Sequence, residues 1–545
     1  MPYKFTKLVS QFSGDRRIEG FETMRHHVSL NFKLWSRLAG VVLSGCLLAG
    51  AAFAEPLRAS GVIMPERPGP VISRYVFGQF SEHLGRGIYD GIWVGPNSRI
   101  PNVRGIRSDV VGALKAIRVP VVRWPGGCFA DEYAWRDGIG PRAKRPARKN
   151  NWWAGSPETN AFGTHEYFDF VEQIGADAYV SMNVGASTPT EMRQWVEYMT
   201  SDGDDTLAQE RRRNGRDKPW PLKFVGIGNE YWGCGGKMTP QQYGREFMRF
   251  TAFYHSQTMR VAVGAKNGLT EWTDAVMGEA LEKMDAISVH YYTSPTGNVD
   301  VTKPATGFDT QDWADTFVQT MKMDDYITAH SRVMDAHDPQ KRVALFIDEW
   351  GTWYTVETGT EPGHLYQQNS LRDGLVAAVN FDIFIRHSDR VRMANIAQTV
   401  NVLQSLILTR GSEMVLTPTY YAYQMYVPFQ EATALPLRLA APDIKVGSRW
   451  MPSLSGAAAR GAKGEYLLAL TNLSPQEAVE TRLDLGGLKA QTLSAQILTA
   501  SEMDAHNDFG RPASVTPQPF DGARLENGYV VLTQPAKSLI VLTLK

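Results

Sequence analysis

Two glutamates in this chain each follow an apolar segment of strand length. Glu230 stands two positions after the apolar segment 224–228. Glu349 stands two positions after the apolar segment 343–347. The carboxyl ends of parallel strands gather at one edge or mouth of a sheet, so side chains far apart in sequence can meet there. A facing pair of carboxyl groups is the machinery that breaks a glycosidic bond. The two segments therefore predict a carboxylate pair of that kind.

A pair that works by double displacement needs one carboxyl group that stays protonated and one that stays ionised, about 5–5.5 Å apart. Neighbouring groups must push the two pKa values apart. Asn229, beside Glu230, is predicted to bind a sugar hydroxyl, and Tyr292 to donate a hydrogen bond that keeps Glu349 ionised. Successive residues of a strand point to opposite faces, so we expect only one of Asp348 and Glu349 to face the site.

The elements that must position these side chains follow one repeated pattern between residues 71 and 425. An apolar run ends on a polar residue and is followed by an amphipathic segment. Eight such runs occur, at 75–80, 119–124, 178–182, 224–228, 260–264, 286–289, 343–347 and 392–396. Eight strand–helix units predict an α/β fold, a (β/α)₈ TIM barrel. An open doubly wound sheet shares the pattern, but its dinucleotide and phosphate fingerprints are missing from the sequence.

Helix start signals lie between the runs. Thr188 is followed by Pro189 and, three positions after the threonine, by Glu191; Thr239, Pro240 and Gln242 repeat the arrangement. This spacing is typical of a capping box with proline in the first helical turn.

Polar groups that bind hydroxyls and transfer protons stand at the remaining strand ends. They are Glu82, Arg123, Asn183, Lys266, Asn267, His290, Tyr292, Asn395 and Gln398. No set among them has the spacing of a metal cage, and the segment after His165 lacks a second histidine four residues on. We expect neither a metal nor a cofactor.

After residue 425 the sequence changes character. Short β runs at 466–472, 479–485, 492–498, 529–533 and 539–544 are separated by Gly, Pro and Asn. This pattern of short strands and turn residues predicts a C-terminal all-β sandwich, jelly-roll-like, over residues 426–545. Residues 55–70 also have the character of a strand, and we assign them to the sandwich.

Residues 1–54 are assigned to an export signal, although its features begin at Met24 and residues 1–23 fit no part of it. A basic stretch that includes Lys33 and Arg37 precedes an apolar segment from Leu38 to Ala54, which ends in a small-x-small cleavage site. Met24 fits the start of such a signal. Cys46 lies in a sequence that resembles a lipoprotein box, so a lipid anchor there is the alternative to cleavage after Ala54. The expected location is periplasmic or extracellular, without a membrane span, because the segment is shorter than the ~20 residues that a spanning helix needs.

The overall charge bears on partners. Lys+Arg and Asp+Glu both number 57, so the formal net charge is zero. Proteins that bind nucleic acid show a basic footprint, so no nucleic-acid partner is expected. Besides Cys46 the chain has two cysteines, Cys128 and Cys234. Two thiols make neither a disulfide framework nor a zinc site, and the sequence leaves their pairing open.

Several motifs together resemble the α-L-arabinofuranosidases of glycoside hydrolase family 51. The resemblance runs from about residue 75 to 426. It rests on FGQFSEHLGRGIY at 77–89, RWPGG at 123–127, YAWRDGIGP at 133–141, GNE at 228–230, DEW at 348–350, MANIAQ at 393–398 with VN at 400–401, and TPTY at 417–420.

The resemblance implies a retaining hydrolase on a barrel with a β-sandwich, in which Glu230 is the acid/base and Glu349 the nucleophile. It also implies a set of side chains around the sugar, with Trp135 shaping the pocket and Cys128 at a position where many members carry Asn. The substrate-binding set is Glu82, Cys128, Trp135, Asn229, Tyr292 and Gln398.

The function expected from the sequence is therefore an exported, exo-acting α-L-arabinofuranosidase that releases terminal arabinofuranose from arabinan, arabinoxylan or their oligosaccharides. The alternatives are an endo-acting β-glycanase on the same type of barrel and a non-catalytic carbohydrate-binding protein. The family resemblance also suggests a homo-oligomer.

Overall fold

Eight parallel strands form a closed barrel in the computed structural model, which describes residues 56–252 and 257–545. Neighbours in the barrel follow one another in sequence, and the last strand pairs with the first. The predicted (β/α)₈ barrel is confirmed. Its strands are Gly78–Phe80, Val121–Trp124, Asp177–Met182, Leu222–Ile227, Met259–Lys266, Ala286–Thr293, Ala344–Thr352 and Val391–Ala397.

Each connection between successive barrel strands contains at least one α-helix, so the strands are buried on both faces and are apolar along most of their length. The predicted capping boxes are confirmed: Thr188 caps the helix that begins at Pro189, and Thr239 caps the helix that begins at Pro240. The helices are Ser108–Ala116, Thr164–Ile174, Pro189–Thr200, Thr206–Arg213, Pro240–Thr251, Thr270–Ala280, Thr310–His337 and Leu371–Arg386, with Pro418–Tyr426 after the last barrel strand.

The strand that carries Glu349 has one extra residue relative to both of its neighbours. Ile347 pairs with Ala394 but Trp350 pairs with Ile396, and the pairing with the preceding strand shifts at the same place. Such a bulge interrupts the alternation of faces. Asp348 and Glu349 consequently both contact one side chain inside the barrel, the guanidinium of Arg123. The premise that the two carboxylates point to opposite faces is wrong here, because it assumed a regular strand. The expectation that only one of them faces the site is confirmed, since Glu349 lines the pocket at the strand ends and Asp348 does not.

A β-sandwich follows the barrel. Its five-stranded sheet has the order Leu437–Ala440, Leu57–Ile63, Val479–Asp484, Tyr529–Gln534, Ala523–Glu526. Its six-stranded sheet has the order Thr433–Leu435, Leu454–Arg460, Tyr466–Asn472, Ser538–Leu544, Leu493–Thr499, Gln518–Pro519. The two sheets enclose an apolar core of leucine, isoleucine, valine and alanine.

The strand Leu57–Ile63 lies inside the first of these sheets. It pairs antiparallel with Leu437–Ala440 and parallel with Val479–Asp484. The sandwich is therefore built from both ends of the described chain. Within that part of the chain, no helix has the length and apolar character to cross a membrane.

Candidate active site

A pocket of about 240 Å³ opens at the carboxyl ends of the barrel strands. The sequence-predicted residues Glu82, Cys128, Asn229, Glu230, Tyr292, Glu349 and Gln398 line it together. Aromatic and apolar side chains complete the wall: Leu84, Trp153, Trp232, Trp353, Leu365 and Leu403. Apolar walls with a few convergent polar groups are typical of small-molecule sites.

A larger cavity, about 540 Å³, lies elsewhere and is rich in arginine. Its charges are largely paired with one another: Arg142 and Arg145 contact Glu166, and Arg216 contacts Glu172. This cavity exceeds the pocket at the strand ends in volume. The chemistry favours the smaller pocket, because there the buried carboxylates face an open space.

Glu230 and Glu349 lie side by side in the smaller pocket, with His290 between them. A carboxylate oxygen of each glutamate and a ring nitrogen of His290 all lie within 4.8 Å of one another. Nδ1 of His290 is 2.8 Å from Oε1 of Glu230 and 3.6 Å from Oε2 of Glu349. The fold thus brings two residues that are 119 positions apart (349 − 230) close enough for both carboxyl groups to contact the same sugar carbon and its glycosidic oxygen.

Glu349 is set up to stay ionised. Arg123 Nη1 donates to its Oε1 at 2.7 Å, and the Tyr292 hydroxyl donates to its Oε2 at 2.9 Å, as the sequence predicts. Burial alone would raise the pKa of Glu349, but the positive charges of His290 and Arg123 and these hydrogen bonds outweigh it, so the pKa lies below its ordinary value.

Glu230 is set up in the opposite sense. Burial raises the pKa of its carboxyl group, and the negative charge of Glu349 adds to the effect, against the opposing hydrogen bond with His290. Burial would lower the pKa of His290, but the charge of Glu349 and the contact with Glu230 raise it overall. The Glu230–His290 pair consequently retains a proton between them at a pH where Glu349 has lost its own.

Glu82 and Asn229 are held by neighbours around this pair. Glu82 accepts a hydrogen bond from the backbone N–H of Phe129 at 3.0 Å, and Gln398 Nε2 donates to its other oxygen at 3.4 Å. Burial, with the nearby charge of Glu349, raises the pKa of Glu82 to about 7. Asn229 Oδ1 accepts from Arg123 Nη2 at 2.5 Å, which fixes the side-chain amide toward the pocket.

Trp135 is the predicted residue that the structure does not bring to the pocket. It is 5% exposed, its ring stacks parallel to that of Trp195 with centroids 6.2 Å apart, and it lines a separate cavity with Met192 and Asn183. Its assignment came from a motif match alone.

Cys128 and Cys234 form a disulfide bond, with their Cα atoms 5.6 Å apart. Cys128 lies four residues after the end of the second barrel strand, at the start of the 3-10 helix Cys128–Glu132, and Cys234 lies four residues after Glu230. The bond therefore ties the loop of Glu230, after the fourth barrel strand, to the loop after the second barrel strand. The sequence left this pairing open because residues 106 positions apart carry no signal of their distance.

Sequence reasoning placed His290 and Arg123 at strand ends but gave neither a role. In the structure each contacts more than one member of the site, and together they lower the pKa of Glu349 below its ordinary value. Their strand-end positions were the available signal. Trp353 was missed; it follows the Glu349 strand by one residue, and its ring meets Tyr292 edge-on at 5.1 Å.

A (β/α)₈ barrel whose strand ends present two facing carboxyl groups, with pKa values shifted in opposite directions, has the arrangement of a glycoside hydrolase. Comparison with known proteins narrows this class. The family model of the alpha-L-arabinofuranosidase 1 domain matches residues 113–313, and that of the alpha-L-arabinofuranosidase C-terminal domain matches residues 348–538.

Individual relatives agree with the family models. The chain is 44% identical over 510 residues to an intracellular exo-alpha-L-arabinofuranosidase of Bacteroides ovatus, a match that covers 93% of this chain and 99% of the relative. The crystal structure of the GH51 arabinofuranosidase from Xanthomonas axonopodis pv. citri superposes with a TM-score of 0.89 at 48% identity, covering 90% and 100% of the two chains. That of the Thermotoga maritima alpha-L-arabinofuranosidase in complex with arabinose gives 0.79 at 30% identity, covering 89% and 99%. The chain belongs to glycoside hydrolase family 51 and is an α-L-arabinofuranosidase.

One prediction is contradicted by these comparisons. The sequence predicted an exported protein, periplasmic or extracellular, whereas the Bacteroides ovatus relative that matches nearly the whole chain is named intracellular. The predicted signal segment at 1–54 and the lipoprotein-like Cys46 lie outside the described residues. The prediction rested on a hydrophobic stretch and a small-residue motif, which are weak signals by themselves, and we withdraw it.

Proposed function

We propose that this enzyme acts by double displacement with retention of configuration, with Glu349 as the nucleophile and Glu230 as the acid/base. The observation that supports this most directly is the closeness of the two carboxylates, at most 4.8 Å between oxygens. Retaining enzymes have a separation of about 5–5.5 Å, whereas inverting ones need about 6.5–9.5 Å to admit a water molecule.

In the first step, Glu349 attacks the anomeric carbon of an arabinofuranosyl unit, and the glycosidic oxygen leaves with the proton of Glu230. The lowered pKa of Glu349 keeps the nucleophile ionised, and the raised pKa of Glu230 keeps the acid protonated. His290 Nδ1 lies 2.8 Å from Glu230 Oε1 and orients the carboxyl group.

In the second step, Glu230 is ionised and takes a proton from water, which attacks the glycosyl–Glu349 ester. The proton taken from water replaces the one that Glu230 gave to the glycosidic oxygen in the first step, while His290 Nδ1 stays 2.8 Å from Glu230 Oε1. Glu349 leaves as a carboxylate stabilised by Arg123 and Tyr292. Each group thereby returns to its starting protonation state.

We further propose an exo mode on terminal arabinofuranose of arabinan, arabinoxylan or their oligosaccharides. The support is the shape of the site: a pocket of about 240 Å³ whose walls include Trp153, Trp353 and Leu365. An endo-acting enzyme needs an open cleft in which a chain can pass the carboxylates on both sides. Within the pocket, Glu82, Asn229, Tyr292 and Gln398 are the proposed partners of the sugar hydroxyls. Self-association, for which light scattering is the direct measurement, stays a prediction.

The acid/base assignment is tested with Glu230→Ala. General acid catalysis contributes about 10²–10⁴-fold, so hydrolysis of arabino-oligosaccharides should fall by about that factor. Formation of the glycosyl-enzyme from an aryl arabinofuranoside with a good leaving group should be nearly unchanged, because that group leaves without a proton. Azide should accelerate turnover of the variant and yield the azide of retained configuration. Equal loss on both substrates would refute the assignment.

The nucleophile assignment is tested with Glu349→Ala as the matched variant. It should lose turnover on both substrates, and any azide product should have the inverted configuration, since azide then attacks in place of the carboxylate. Glu271 is an exposed glutamate on the helix Thr270–Ala280, so Glu271→Ala is the control: it removes a glutamate outside the site and should leave turnover unchanged. Retained turnover in Glu349→Ala would remove Glu349 as the nucleophile.

A further inference from the structure

The disulfide between Cys128 and Cys234 lies directly beside the acid/base side chain. Sγ of Cys234 is 3.9 Å from Oε2 of Glu230 and 3.5 Å from Nδ2 of Asn229, and Cys128 lines the pocket. Both cysteines are half-buried, so a small reductant that enters the pocket can reach the bond. No step of the proposed reaction uses this pair of sulfur atoms.

The two sulfurs and a Glu230 oxygen form a compact group of ligand atoms. All three lie within 4.8 Å of one another. Zinc–sulfur bonds of about 2.3 Å at the tetrahedral angle place two sulfurs about 3.8 Å apart, and a sulfur and a carboxylate oxygen about 3.5 Å apart. The observed 3.9 Å from Cys234 Sγ to Glu230 Oε2 is already close to that value. The Cα atoms of the two cysteines are 5.6 Å apart. After reduction, only the two sulfur atoms need to move apart to reach the sulfur–sulfur distance of about 3.8 Å.

The second oxygen of Glu230 is held in a way that suits a metal ligand. Oε1 lies 2.8 Å from Nδ1 of His290, within hydrogen-bond distance. Oε2, the other oxygen, faces Sγ of Cys234 at 3.9 Å. Carboxylates that bind metals are commonly oriented by such a hydrogen bond on their other oxygen.

We propose that reduction of the Cys128–Cys234 bond creates a site for a thiophilic divalent ion, formed by the two thiolates and the Glu230 carboxylate, and that the bound ion switches the enzyme off. A phosphine reductant and one water convert the disulfide to two thiols, and the phosphorus is oxidised to the phosphine oxide. One Zn²⁺ then displaces the two thiol protons and binds both sulfurs. In the oxidised protein the sulfurs are bonded to each other, so no thiolate exists to bind the ion.

The inhibition follows from the identity of the third ligand. An ion on Oε2 of Glu230 excludes a proton from that oxygen and lies in the space of the leaving group. This part of the proposal rests on the acid/base role of Glu230, whereas the binding of the ion does not. The ion is an inhibitor, and the proposed reaction itself uses none.

The test compares the full chain in its oxidised form with the same chain reduced by tris(2-carboxyethyl)phosphine and then desalted without air. Zn²⁺ is titrated into both, and bound metal, released protons and arabinofuranosidase activity are measured. The reduced form should bind one ion more per chain than the oxidised form and release about two protons from the thiols, with a third from Glu230 where that carboxyl group is protonated beforehand. At free Zn²⁺ about ten times the dissociation constant, about one molecule in eleven stays free, so activity should fall about elevenfold and return with a chelator.

Variants separate this site from others. Cys234→Ser has no disulfide in either state and lacks one thiolate, so it should lose the extra ion, while Cys46 is present in all forms and cancels. Glu230→Gln should weaken binding of the ion without abolishing it, which reports on the site even if Glu230 has no catalytic role. No additional ion in the reduced form, equal binding by Cys234→Ser, or a bound ion with unchanged activity would each overturn the proposal.

Discussion

Tyr292→Phe isolates the contribution of one hydrogen bond to the ionisation of Glu349. The substitution removes the hydroxyl that donates to Glu349 Oε2 at 2.9 Å and retains the ring that packs against Trp353. Arg123 and His290 stay in place as positive partners. The carboxylate thus loses one of its stabilising groups and keeps the others.

The magnitude follows from the type of bond. A hydrogen bond to a charged group contributes about 1.5–3 kcal/mol. One pKa unit corresponds to about 1.4 kcal/mol, so the pKa of Glu349 should rise by about 1–2 units. The ionised form is the reactive one, so the acid limb of the rate profile should move to higher pH by the same amount. At a pH below both limbs, kcat/KM should fall about 10–100-fold, with a smaller change on the plateau.

The assay is the pH dependence of kcat/KM for an aryl arabinofuranoside with a good leaving group, because its first step does not depend on protonation by Glu230. The acid limb of that profile reports the free enzyme's essential base. Tyr291→Phe is the matched control, since the Tyr291 hydroxyl donates to the backbone carbonyl of Gln319 at 2.6 Å. An unmoved limb in Tyr292→Phe, or an equal shift in Tyr291→Phe, would refute the reasoning.

Two further predictions concern Glu82 and Gly127. Burial raises the pKa of Glu82 from 4.5 to about 7, so the folded state binds a proton that the unfolded state has released, and stability falls by about 3 kcal/mol as pH rises through that window. Glu82→Gln should therefore melt higher than the wild type at pH 8 by a margin that is absent at pH 4; a margin independent of pH would contradict this. At Gly127, an added Cβ would lie 3.1 Å from Glu349 Oε1, so Gly127→Ala should displace the carboxylate and lower kcat. Gly112→Ala, in the helix Ser108–Ala116 with nothing within 4 Å of its Cβ, should keep activity and gain about 0.5–1 kcal/mol of stability; equal activities of the two variants would refute the crowding at Gly127.

The barrel and the grouping of its strand-end residues were predictable because they depend on period and composition. Apolar runs that end on a polar residue mark both the strand and the position of its functional side chain, and for that reason Glu82, Glu230, Glu349 and Gln398 are predictable from the sequence. The β runs of the sandwich were predictable for the same reason.

The remaining features depend on distances that no local pattern encodes. The bulge that turns Asp348 toward Arg123 is one extra residue in a strand of ordinary composition. The Cys128–Cys234 bond and the bridging position of His290 arise from closure of the barrel. Trp135 was predicted from a motif match, but a motif does not specify which way a side chain points. Its ring stacks on Trp195 and does not line the active-site pocket.

The strand Leu57–Ile63 makes the order of synthesis matter for this protein. Its first partner begins at Leu437, 374 positions later (437 − 63), and its second begins at Val479. At about 5–20 residues per second, a ribosome needs roughly 20–75 s to deliver the first of them. Throughout that interval the strand has no sheet to join, while the whole barrel emerges. The sandwich consequently cannot be transferred to another protein as a contiguous C-terminal segment. A fragment that starts after Ile63 would lack the strand between Leu437–Ala440 and Val479–Asp484 in the five-stranded sheet.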